Sequence, residues 1–121
     1  MRPSVPAVVD ETVLDSYRML QEDGEPDVVT EFIDTFLEDM PSRIARIRAA
    51  VLAKVPGEIK SASHALKGAA AAVGAVRLAQ VCGELEHKGR DAILNGIDEL
   101  GAQVDREAAQ AREILVSMRR P

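Results

Sequence analysis

Apolar positions in this 121-residue chain recur at steps of three and four, the spacing of a helix face rather than of a strand. Asp10 can cap a short helix running to about Gln21, with Val13, Tyr17 and Leu20 along one side. The turn-forming run Glu22-Asp23-Gly24-Glu25-Pro26 ends it. A long helix is predicted from about Pro26, because proline in a first turn forfeits no hydrogen bond. Its stripe is Val29, Phe32, Phe36, Met40, Ile44, Ile47 and Val51. Pro41 interrupts this run and should either kink the helix near Leu37 or split it; the apolar register continues across it, which favours the kink. Pro56 and Gly57 mark the next turn. A third helix is expected from about Gly57 to Val73, ending at Gly74. A fourth spans Ala75 to Lys88, with Leu78, Cys82 and Leu85 inward, and stops at Gly89. The last runs from about Asp91 to Met118 on the stripe Ile93, Ile97, Leu100, Val104, Ala108, Ala111, Leu115 and Met118.

Four amphipathic helices joined by short turns pack most simply as an antiparallel up-down four-helix bundle. The expected fold is therefore all-α, with the short additional N-terminal helix closing one end. Residues 1–9, which carry Pro3 and Pro6, read as a flexible leader, and residues 10–121 as the bundle domain. Composition agrees with this. Tyr17, Phe32 and Phe36 are the only aromatics, alanine is abundant, and β-branched runs are short. No stretch approaches the ~20 apolar residues of a membrane span, and the N-terminus lacks the apolar segment of a signal peptide. Cys82 stands alone, so no internal disulfide is expected, which fits a cytoplasmic location.

Charge divides the chain unevenly. Residues 54–90 hold six Lys/Arg and three Glu, a balance of +3, against −8 for the remainder of a chain whose net charge is −5. That distribution argues against nucleic acid as a partner. For the basic segment it leaves two readings, a solvated helical surface or a face for a protein with an acidic pocket.

The basic segment contains Ser61-Ala-Ser-His64-Ala-Leu66-Lys67-Gly68-Ala-Ala-Ala-Ala-Val73-Gly74. At about 100° per residue, Ile59, Ala62, Leu66, Ala69 and Val73 share one bearing, and His64 falls opposite it. Lys60, Ser61, Lys67, Gly68 and Ala71 lie within about 60° of His64. A glycine inside a helix costs about 1 kcal/mol relative to alanine. Gly68 could offset that by letting a partner protein approach the imidazole, or by letting a neighbouring helix come close.

The spacing His64-x-Leu66-Lys67-Gly68 with Gly74, followed by Leu78, Cys82, Leu85 and Glu86, resembles the histidine phosphotransfer (HPt) family. The resemblance implies a four-helix bundle and a phosphoryl carrier of a two-component phosphorelay, without an ATP-dependent kinase activity of its own. His64 would carry the phosphoryl group between receiver-domain aspartates, and Lys67 would offset the charge of the phosphoryl oxygens. Family members often hold an amide where this chain has Glu86. A carboxylate there can orient the imidazole if it accepts from the ring nitrogen that is not phosphorylated, and it favours the imidazolium form. Lys60, Gly68, Ala71, Arg77 and Lys88 are the expected partner-binding positions. Alanines beside His64 leave a shallow surface for docking.

The implied partners are response-regulator receiver domains and a hybrid histidine kinase, met by a monomer. No cofactor is expected on this chain; Mg²⁺ would reside on the receiver. His64, His87 and Cys82 are the only His and Cys residues. Cys82 lies on a core stripe and reads as a small buried hydrophobe. His87 lies beyond that stripe and reads as a surface residue near the phosphorylation face. Three rival readings remain: a receiver-binding scaffold that carries no phosphate, a structural or dimerising bundle, and a detached piece of a chemotaxis-type kinase, although no glycine-rich nucleotide loop is present.

Overall fold

In the computed structural model, which describes residues 7–25 and 27–120, the chain is helical, and no strand occurs among those residues. The helices are α1 (Glu11–Met19), α2 (Val28–Ala53), α3 (Pro56–Ala72), α4 (Val76–Arg90) and α5 (Ile97–Met118). α2, α3, α4 and α5 form a ring in which each packs on its chain neighbours and α5 returns to α2, while α1 lies against α2. The bundle encloses a continuous core that includes Val29, Ile33, Ile47, Ile59, Leu66, Leu78, Leu85, Val104 and Leu115. This is the up-down bundle with an extra short helix that the periodicity predicts. The expected helix start at Pro26 lies outside the described residues.

Several details differ from the expectations. In α1 the buried residue is Leu14, not Leu20, which caps the helix C-terminus and is exposed. Leu14 is fully buried, whereas Val13 and Tyr17 are only partly so. In α2, Ile33 takes the core place expected of Phe32. Phe32 instead meets Tyr17 edge to face, with ring centroids 4.9 Å apart, and joins α2 to α1. α2 runs unbroken through Pro41, so the helix is not split. Pro41 lies on the exposed side, where water can reach the Leu37 carbonyl that lost its donor. Val9 is buried and Val8 packs on the core, so packed chain begins earlier than a leader over 1–9 allows. Residues 1–6 of that leader lie outside the described residues.

α5 begins at Ile97 rather than near Asp91. Ala92 and Gly96 both have positive φ, at 54° and 82°, and turn the chain out of helix. Asn95-Gly96 is a turn signal that the apolar pattern overrode. Ile93 is consequently exposed instead of leading the α5 stripe.

The helix ends are fastened by specific polar contacts. Asp27 caps α2 through Thr30 and also accepts from Arg18 at 3.2 and 3.3 Å. The same guanidinium donates to the Met118 carbonyl at 3.3 Å, tying α1, α2 and α5 together. Bonds from Arg18 and Thr30 hold the Asp27 carboxyl down at about 2. At the α3–α4 turn Gly74 has φ +78°, and a Cβ there would lie 2.5 Å from the Asp10 carbonyl oxygen. The Asp10 N–H donates to the Gly74 carbonyl at 2.7 Å, so this turn also seats α1.

Gly89 sets the spacing of α3 and α4. It does not end α4, which continues to Arg90. A Cβ at Gly89 would lie 2.6 Å from Lys60 N and 2.8 Å from Pro56 O, both backbone atoms. Gly68, by contrast, would have nothing within 4 Å of an added Cβ. The helix-packing explanation of Gly68 therefore fails, and that role belongs to Gly89.

Gly89→Ala is expected to destabilise the bundle by about 1–3 kcal/mol, because backbone cannot yield as a side chain can. Gly68→Ala should stabilise it by about 1 kcal/mol. Urea denaturation midpoints of the two variants check the contrast. Asp27 makes a pH prediction. Its folded carboxyl value is depressed, so its stabilising contribution is complete above the unfolded value of 3.8 and is lost as pH falls toward about 2. The stability gap between wild type and Asp27→Asn should be constant near neutrality and close across that window, as chemical denaturation at each pH would show.

Candidate functional site

α3 and α4 run antiparallel, and their register is fixed by close contacts. Gly89 sits against Pro56 and Lys60, and a Cβ at Gly83 would lie 3.6 Å from Lys67 Cδ. That register brings His64 and Lys67 of α3 level with Glu86 of α4. The Glu86 side chain is only 5% exposed, whereas His64 is 71% exposed. Glu86 Oε2 lies 2.6 Å from His64 Nδ1, and Lys67 Nζ donates to Glu86 Oε1.

Glu86 decides the chemistry of the ring. The hydrogen bond from Lys67 holds its carboxyl below the ordinary carboxylate range; burial works in the opposite direction, and the bond with His64 adds to the lowering. The group is therefore a carboxylate at neutral pH and can only accept hydrogen bonds. Nδ1 must then carry the hydrogen in the contact with Oε2. In a neutral ring this leaves the lone pair on Nε2, and among the described residues nothing bonds that nitrogen. The arrangement presents an oriented nucleophile on an exposed ring.

The structure brings together His64, Lys67 and Glu86, with Lys60, Gly68 and Ala71 exposed on the same helix, α3. It does not bring in Arg77 or Lys88. Arg77 donates to Glu107 Oε1 of α5 at 2.8 Å, and Lys88 donates to the Asn95 carbonyl at 2.7 Å. They stand nine and two residues from Glu86, which on a helix is about half a turn around. The basic excess of residues 54–90 is thus shared between two sides of the bundle. His87 also faces away. Its Nε2 lies 3.1 Å from Asp91 Oδ2, and it lines a groove between α4 and α5 with Gln80, Glu84 and Gln103. Cys82 is fully buried, and burial pushes its thiol up to about 12, so it packs as a neutral hydrophobe. Among the described residues no group of three His, Cys, Asp or Glu could hold a metal ion, and no helix is long and apolar enough to cross a membrane.

Two features escape the sequence reading. Arg90, one turn beyond Glu86, places a guanidinium nitrogen 3.9 Å from Glu86 Oε1. The four-residue spacing from an acid to a base was the available signal. An apolar groove of about 400 Å³ also lies between α2 and α3, lined by Tyr17, Phe32, Phe36, Ala69 and Ala72 among others. Arg43 stands at the same groove and donates to the Ala65 carbonyl at 3.3 Å. The groove joins residues far apart in sequence, so no local pattern could reveal it.

Comparison with known proteins agrees with this geometry. The Hpt domain family model matches residues 31–114. The crystal structure of histidine-containing phosphotransfer protein B (HptB) from Pseudomonas aeruginosa PAO1 superposes with a TM-score of 0.81 at 32% identity, covering 94% of this chain and 95% of that one. No curated protein matches the sequence. A family match over more than half of the chain, joined to a shared fold along nearly all of it, shows that this chain belongs to the Hpt domain family, the histidine phosphotransfer proteins of phosphorelays.

Proposed function

We propose that His64 is the residue that carries the phosphoryl group, moving it between the aspartates of response-regulator receiver domains. The observation that supports this most is the exposed imidazole held at Nδ1 by the buried Glu86 carboxylate. In the forward step the Nε2 lone pair attacks the phosphorus of a receiver's phosphoaspartate. The N–P bond forms as the acyl P–O bond breaks, and the bonding pair leaves on the aspartate carboxylate. No proton moves, because Nδ1 keeps its hydrogen. The ring becomes imidazolium, and Glu86 offsets the new positive charge through the same hydrogen bond. The reverse sequence delivers the group to a second receiver.

The transferring group passes through a loose, metaphosphate-like state, so alignment and charge compensation do most of the work. Lys67 supplies the nearby positive charge. It is held by Glu86 before transfer and can turn toward the phosphoryl oxygens once they arrive. In this reading magnesium belongs to the receiver's acidic pocket, where it neutralises phosphoryl charge. A hybrid histidine kinase stands upstream, the carrier works as a monomer, and its setting is the cytoplasm.

Lys60, Gly68 and Ala71 form the docking surface around the ring. Gly68 leaves open space on the exposed side, which suits close approach by another backbone. The apolar α2–α3 groove borders it at Ala69 and Ala72 and adds surface that a partner can bury.

Incubation with a phosphorylated receiver tests the proposal. Acid-labile label is expected on wild type and absent from His64→Gln; equal labelling would remove His64 as the acceptor. Lys67→Ala should slow labelling by about tenfold while circular dichroism stays that of a folded bundle. Gly68→Gln should weaken receiver binding by about tenfold or more with undiminished helicity, measurable by titration calorimetry against the same receiver. Wild-type affinity in that variant would detach Gly68 from docking.

A further inference from the structure

Glu86 divides its two oxygens between the residues of the site. Oε2 is committed to His64 and Oε1 to Lys67. A further cation stands beside Oε1. Arg90 lies one turn along α4 at 3.9 Å, just beyond hydrogen-bond reach. Acid followed by base at a four-residue spacing is the favourable order for pairing on a helix. Among the described residues, Lys67 and Arg90 are the cationic side chains with a nitrogen within 4.0 Å of this carboxylate, beside the His64 imidazole. Lys88 and His87 are turned toward α5 or solvent, and cannot substitute.

If His64 is the phosphoryl acceptor, as proposed above, Lys67 has two anions to serve. A phosphoryl group on Nε2 carries more negative charge than a carboxylate and draws the ammonium away from Oε1. Glu86 would then be a buried carboxylate with one partner, a situation that is strongly unfavourable for a group removed from water. We infer that Arg90 is a positioning residue, which takes up Glu86 Oε1 as Lys67 turns to the phosphoryl group. The shift needed is about 1 Å, to reach ordinary hydrogen-bond length. Arg90 is 55% exposed and pairs with no other acid among the described residues, so little opposes the movement. The exchange keeps Glu86 ionised and His64 protonated at Nδ1 throughout transfer. Arg90 forms no bond to phosphorus and moves no proton; its guanidinium stays charged at every accessible pH.

Phosphoramidate is a suitable probe, because it donates phosphoryl to imidazole, releasing ammonia, without any receiver docking. Labelling rates of the full chain, followed by ³¹P NMR, are compared for wild type, Arg90→Ala, Arg90→Lys, Glu86→Gln and the Arg90→Ala/Glu86→Gln double variant. Arg90→Ala should label about three- to tenfold more slowly, and Arg90→Lys should recover most of that loss. In the Glu86→Gln background, where no carboxylate needs a cation, Arg90→Ala should change nothing. ¹⁵N NMR should show the His64 Nδ1–H of phosphorylated wild type protected, and that of Arg90→Ala exchanging faster. A wild-type rate in Arg90→Ala, or an equal loss with and without the Glu86 carboxylate, would overturn the role assigned to Arg90 while leaving His64 in place. Label that is absent from wild type, or persists in His64→Gln, would remove the acceptor and the Arg90 proposal together.

Discussion

A carboxylate buried between two helices stays ionised only if cations and hydrogen-bond donors reach it. Glu86 meets that condition through α3, which sends both His64 and Lys67 to its oxygens. The ring's tautomer, the freedom of Nε2 and the parking place of Lys67 all follow from this one group. If the carboxylate were exposed, water would compete for each of these bonds and the imidazole would be free to turn. Burial makes the arrangement directional, and burial here depends on how closely α3 and α4 approach.

That approach is governed by residues with little chemistry of their own. Gly89 lets the α4 backbone come up against Pro56 and Lys60, and Gly74 lets the preceding turn pass under Asp10. Between them α3 presents Ala62, Ala70 and Ser63 to the interior, all of small volume. The exposed side of the same helix is also small, at Gly68, Ala71 and Ala72. One helix therefore does two jobs with one kind of residue: it packs tightly inward, and it leaves a low surface around His64 outward.

The distribution of charge around the bundle follows from what each base finds to pair with. Arg77 and Lys88 are spent on holding α5 and the turn before it. Arg18 and Arg119 fasten the chain ends through Asp27 and Asp34. Lys60 and Lys67 stand on α3 beside His64, and Arg90 stands beside Glu86. An acidic chain thus carries a small basic face next to its single exposed, carboxylate-bound imidazole on α3.

The helical period, the proline and glycine punctuation and the spacing of His64, Lys67, Gly68 and Glu86 were legible in the linear chain, because each rests on neighbours a few residues apart. They determined an all-α bundle, the bearing of His64 away from its own helix's core stripe, and the family. The linear chain also misplaced what depends on neighbours far away. Phe32 and Ile33 are equally apolar, and only the presence of α1 decides which faces the core. Arg77 and Lys88 look like free bases until α5 supplies Glu107 and the loop supplies Asn95. Gly68 and Gly89 are the same residue type in two helices, yet one faces open space and the other a backbone. Local spacing settles which face of a helix a residue occupies, whereas the partner across that face is chosen by packing, which needs the whole folded chain.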